Sequence, residues 1–81
     1  MNPEEAKARA KAQIHVIETV YGIRITNSEE VIAAIIEKTR DENTILTLCT
    51  ALNSWVSMNA GLTGEIAIPL DLVNGFMMRI L

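Results

Sequence analysis

Asn43-Thr44-Ile45-Leu46-Thr47-Leu48-Cys49-Thr50-Ala51-Leu52-Asn53-Ser54-Trp55-Val56-Ser57-Met58-Asn59-Ala60-Gly61-Leu62-Thr63-Gly64 contains no charged residue, and how it is read decides the fold. The run from Ile45 to Leu62 is long enough to span a bilayer. Thr47, Thr50, Asn53, Ser54, Ser57 and Asn59 make it too polar for a lone spanning helix, and no basic flank follows. The remaining reading is a helix over about 44–60, surrounded by protein. Its two sides differ. Ile45, Leu48, Leu52, Trp55 and Val56 form a broad apolar arc with Cys49 beside it, and Thr47, Thr50, Asn53, Ser54, Ser57 and Gly61 form a small polar stripe opposite. An exposed helix face ordinarily carries Lys, Glu or Arg. A stripe with none predicts another backbone packed close by, its hydroxyls bonded to carbonyls one turn back.

Upstream, Asp41-Glu42-Asn43-Thr44 breaks the preceding pattern and supplies an N-cap. Before it, a helix is expected over about 28–40, with Val31, Ile32, Ile35, Ile36 and Thr39 inward and Glu30, Ala33, Glu37 and Arg40 outward. Its start offers two overlapping capping boxes, Thr26 with Glu29 or Asn27 with Glu30. At the N-terminus, Asn2-Pro3-Glu4-Glu5 combines a cap residue, proline at the first helical position and two acids facing the positive end of the dipole. The helix it opens, about 3–21, places Ala6, Ala10, Ile14, Ile17, Val20 and Tyr21 on one face. Glu4, Lys7, Lys11, His15 and Glu18 gather on the other. Gly22 is the natural left-handed stop, with Ile23 packing back on the last turn.

Downstream, Gly61 and Gly64 end the long helix, and Pro69 opens a last one over about 69–81. Leu70, Leu72, Val73, Phe76, Met77 and Ile80 cover about half of its circumference, wider than the stripe of roughly 100° that a core-facing helix needs. The excess, ending Arg79-Ile80-Leu81, points to an interface between subunits formed by Trp55, Leu70, Val73, Phe76, Met77, Ile80 and Leu81. Two short segments, 23–26 and 65–68, alternate apolar and polar and can pair as a two-stranded ribbon under helical cover. No internal repeat or low-complexity tract is visible. The expected fold is therefore all-α, a single compact bundle of about four helices with a minor ribbon.

Composition agrees. Eighty-one residues, 49% hydrophobic and 21% charged, are too apolar for disorder and make one domain. So short a chain buries only about 60–65% of its unfolded surface, which predicts leftover apolar area. A single cysteine excludes an internal disulfide and fits a reducing compartment. The acidic N-terminus, with no apolar segment behind it, is not a signal peptide, and a cytoplasmic location is expected. Of seven basic and ten acidic residues, 14 lie in positions 1–42 and only Glu65, Asp71 and Arg79 beyond.

Chemistry is sparse. His15 with Glu18 does not complete a metal shell. Cys49 lacks a base among its apolar neighbours. The acid pairs Glu4-Glu5, Glu29-Glu30 and Asp41-Glu42 all stand at helix starts, where the dipole explains them. Gly61 and Gly64 lack the Lys and Ser/Thr of a phosphate loop. A net charge of −3, and a second helix of any helix-turn-helix over 28–60 that holds no Lys or Arg, argue against nucleic acid. The basic residues Lys7, Arg9 and Lys11 stand at salt-bridge spacing from Glu4 and Glu5. No enzyme, cofactor or metal site is expected.

Two functions remain. One is a homo-oligomeric interaction protein, most simply a dimer through its last two helices. It would offer the charged faces of the first two to another protein as an adaptor or inhibitor, of the kind phages and mobile elements make. The other is a small-ligand or nucleotide binder, its pocket at the subunit interface lined by Thr50, Asn53, Ser54 and Ser57.

Overall fold

Asn2 accepts the Glu5 backbone N–H on its side-chain oxygen at 2.8 Å, and with Pro3 this starts α1, Pro3–Tyr21. Gly22, at φ 62°, closes it: the N–H groups of Gly22 and Ile23 both turn back to the Glu18 carbonyl. The computed structural model describes residues 1–61 and 64–80. After α1 come β1 (Arg24–Ile25), α2 (Ser28–Lys38), α3 (Glu42–Asn59), β2 (Glu65–Ile66) and α4 (Leu70–Ile80). The protein is an all-α bundle of four helices with a small ribbon. The order long helix, short strand, short helix occurs twice, although the sequence shows no repeat.

Two helix ends depart from the expected bounds for local reasons. α2 stops at Lys38 rather than residue 40 because Thr39 turns extended and its hydroxyl accepts the Asp41 N–H at 3.1 Å. α3 starts earlier than expected, at Glu42, because Asp41 itself is the cap and accepts both the N–H and the hydroxyl of Thr44 at 2.9 Å. The Thr44 N–H holds the Asp41 carboxyl below its ordinary range, as an N-cap should.

The ribbon is parallel, pairing Arg24 with Glu65 and Ile25 with Ile66. It is shorter than the segments 23–26 and 65–68, and a side chain makes up the difference. Asn27, one of the two alternative caps expected for α2 beside Thr26, stands at the N-cap position yet makes no side-chain cap bond. Its amide instead donates to the Ile68 carbonyl at 2.7 Å and accepts the Ile68 N–H at 2.9 Å, continuing the ladder with a side chain in place of a strand. On the other edge, the Ile25 N–H finds the Glu18 carboxylate at 2.8 Å. Helical cover is supplied by the core around Ile25 and Ile68, both buried.

α1 and α4 each pack on both α2 and α3. α1 and α3 run in the same direction, since Arg9 pairs with Glu42 near both starts and the Tyr21 hydroxyl reaches Asn53 further along. Ala6 and Ala10, both fully buried, let α1 approach closely. Ile14, Ile17, Ile35, Ile45, Leu48 and Leu52 fill the centre. The face assigned to α1 was drawn too wide: Val20 is 61% exposed and Tyr21 lies at the surface, because α2 and α3 flank that edge without covering it. On α2, Ile36 and Thr39 are half-buried rather than enclosed.

The subunit exposes 4931 Å², close to the roughly 4,800 Å² that the usual scaling gives a folded monomer of this mass. Total area is therefore ordinary, while the expected leftover apolar surface shows at single residues such as Val20, Met58 and Met78, which are 61%, 75% and 82% exposed. What is unusual is where the apolar and uncharged surface lies.

Candidate functional site

The residues assigned to a subunit interface divide into four groups. Val73 and Met77 are buried inside the subunit, at 0% and 2% exposure, so neither can meet another copy. The physical reason is that α4 inserts between α2 and α3, and both flanks of its wide apolar arc are used within the chain. Trp55, Phe76 and Ile80 are half-buried against the same core. Leu70 is 40% exposed at the start of α4. Leu81 lies outside the described residues.

The small polar stripe sits where helical spacing placed it, on the outer side of α3. Thr47, Thr50, Ser54 and Ser57 are exposed and Asn53 is half-buried. The hydroxyls bond back along the helix as expected: Thr50 to the Leu46 carbonyl at 2.9 Å and Ser57 to the Ser54 carbonyl at 2.7 Å. Asn53 accepts the Tyr21 hydroxyl at 2.5 Å, tying α3 to the end of α1. Among the described residues the expected close-packed backbone is missing, and the stripe faces outward.

Residues that the sequence reading did not assign to this surface extend it. Met58, 75% exposed, stands one turn beyond Ser54. Along the adjoining edge of α1, Val16 and Val20 are 48% and 61% exposed. A helical wheel could have found Val16, which falls outside the buried arc of α1. The result is an outward face of α3 about 27 Å long at 1.5 Å per residue, with no charged side chain between Glu42 and its C-terminal end.

The charged side is different. α1 and α2 enclose a groove of about 640 Å³. Ile14, Ile32 and Ile36 form its floor with Ala33, and Lys7, Lys11 and His15 stand along one rim. Lys7, Arg9 and Lys11 were expected to interleave with Glu4 and Glu5 in ion pairs. Arg9 instead reaches Glu42, and Lys11, six and seven residues from Glu5 and Glu4, lies beyond one turn of either acid. Among the described residues Lys7 and Lys11 have no ion-pair partner; the pairs run from Arg9 to Glu42 at 3.3 Å, His15 to Glu18 at 3.8 Å and Arg24 to Glu65 at 2.7 Å.

Groups that could do chemistry are few. Cys49 is buried and its thiol is pushed up to about 11 by that burial. Among the described residues no group of three or more His, Cys, Asp or Glu side chains is placed to hold a metal ion. No described helix is long and apolar enough to cross a membrane. No family model, curated protein or solved structure matches this chain.

Proposed function

We propose that this protein is a small interaction module that self-associates through α3 and the adjoining edges of α1 and α4, and presents α1 and α2 to a protein partner. One observation carries the reading: beyond Glu42 the outward face of α3 has no charge, whereas the charged residues crowd onto α1 and α2. A solvated helix face without Lys, Glu or Arg gains little from water, and small side chains let a second helix approach closely. Met58, Val16 and Val20 add apolar area at its borders, and half-buried Trp55 and Ile80 adjoin it on the α4 side. Such a module would act as an adaptor or inhibitor.

Size-exclusion chromatography with light scattering at tens of micromolar tests this. The expected mass is twice that of the chain. S54R, which puts a charge mid-face, is expected to give a monomer, and E37R, on exposed α2, to leave the dimer intact. A wild-type chain that runs as a monomer at that concentration overturns the self-association.

A further inference from the structure

We infer that Asn74-Gly75 is a self-modification site gated by α4. The closed helix protects it, and a chain whose α4 opens converts Asn74 to isoaspartate or aspartate through a backbone succinimide. This stands apart from the interaction module proposed above and needs neither a second copy nor a partner.

Asn74 is the one asparagine of this chain that is followed by glycine. The chemistry needs that neighbour. The backbone nitrogen of Gly75, deprotonated by solvent base, attacks the side-chain carbonyl carbon of Asn74. A five-membered imide closes as the bond to Nδ2 breaks, and ammonia leaves. Water then opens the imide at either carbonyl, so the sum is amide plus water giving carboxylic acid plus ammonia, with no oxidant or reductant. Glycine has no Cβ to shield the attacking nitrogen. Other asparagines are worse placed: Asn2 precedes Pro3, which has no N–H, and both polar atoms of the Asn27 amide hold Ile68. Asn53 accepts the Tyr21 hydroxyl. Asn74 is exposed, and among the described residues its side chain has no hydrogen-bond partner.

The helix is what holds the site shut. Residues 74 and 75 lie within α4, where each N–H is spent on the carbonyl four residues back and helical ψ keeps it from the preceding side chain. α4 is also the helix least able to hold itself closed. Asn and Gly are weak helix formers, set side by side in its interior. Packing does not call for the glycine, since no atom lies within 4 Å of where a Cβ would stand. At 11 residues α4 is too short to persist alone, and two buried side chains anchor it, Val73 and Met77, where α3 has five. Once formed, isoaspartate prevents reclosure. It routes the main chain through the side-chain carbon and adds a methylene between Val73 and Met77, so the two anchors no longer stand one turn apart on one face.

The test incubates the full chain at pH 8 and 37 °C across a urea series and reads position 74 by peptide mapping with mass spectrometry. Amide hydrogen exchange is followed in parallel at Gly75 and at Leu48, a fully buried residue of α3. Modification is expected to be at least about ten-fold slower in the native chain than in full denaturant, and to rise in low urea together with exchange at Gly75 while Leu48 stays protected. V73A, which removes an anchor, should speed it about five- to thirty-fold. G75A fits the open space, shields the nitrogen and strengthens the helix, so it should suppress modification in urea and in the native chain alike. Isolated isoaspartate chains should melt below unmodified ones, whereas N74D, which adds the charge without lengthening the backbone, should melt close to wild type. A native rate equal to that in denaturant overturns the gate. A rate that rises only when Leu48 opens assigns the reaction to global unfolding and overturns the role of α4. G75A chains that react as fast as wild type in urea overturn the chemistry.

Discussion

Cys49 is a nucleophile by type and a core residue by position. It is 3% exposed, and Ile45, Leu52 and Val56, its neighbours by helical spacing, are enclosed with it. Burial favours the neutral thiol, so its folded pKa rises from 9.0 to about 11. Below pH 9 the thiol is protonated in both folded and unfolded chains, and its contribution is fully present. Between 9 and 11 only the unfolded chain ionises, and stability is lost by up to roughly 2–3 kcal/mol. Denaturant unfolding at pH 8 and pH 11 is expected to show this loss in the wild type and a smaller one in C49A, which keeps every other titrating group. At pH 8 a thiol reagent should label Cys49 only in denaturant; rapid labelling of the native chain would contradict its burial. This much was legible in advance, because a cysteine inside an apolar arc has few other places to go. Val73 and Met77 were not. The wheel shows which residues share a face, but it does not show whether the chain or another molecule covers that face.

At the scale of elements, the helix bounds followed from caps: Asn2 with Pro3, Gly22, and Asp41. These are local chemistry, written within four residues of where they act. Asn27 illustrates the opposite. In sequence it opens a capping box with Glu30; in the fold its amide holds Ile68, 41 residues away. Both roles need the same residue type, and only the packed chain decides between them. The two bonds are part-buried, so N27A strands the donor and the acceptor of Ile68 and is expected to cost about 1–3 kcal/mol. N27D keeps the acceptor for the Ile68 N–H but sets a carboxylate against the Ile68 carbonyl. It should be at least as unstable as N27A at pH 7 and recover toward pH 4, where the protonated carboxyl can donate again. Urea midpoints at the two pH values check this, and an N27D chain as stable as wild type at pH 7 would show the donor to be dispensable. The groove was equally hidden, since its floor and rims come from two helices whose relative placement no local pattern encodes.

Across the whole molecule, the two sides have different characters. α1 and α2 carry most of the charges, whereas α3 beyond Glu42 has none and α4 has only Asp71 and Arg79, and on these two helices Met58 and Met78 are more than 70% exposed. The charge asymmetry was plain from the sequence. Its arrangement on opposite sides of one bundle follows from packing α1 and α4 each between α2 and α3. That packing also runs across the chain's midpoint: α1 rests on α3, α2 on α4, and β1 on β2, so the short exposed junction at Arg40 and Asp41 separates two interleaved halves. Fragments 1–40 and 41–81 should therefore each be largely unstructured in isolation, and should recover helical circular dichroism when mixed in equal amounts. A first fragment that is fully helical unaided would mean its core is not shared. If complementation works, this chain can be cut into two peptides that report each other's presence by folding, with the covalent link at its midpoint serving only to keep them at high local concentration.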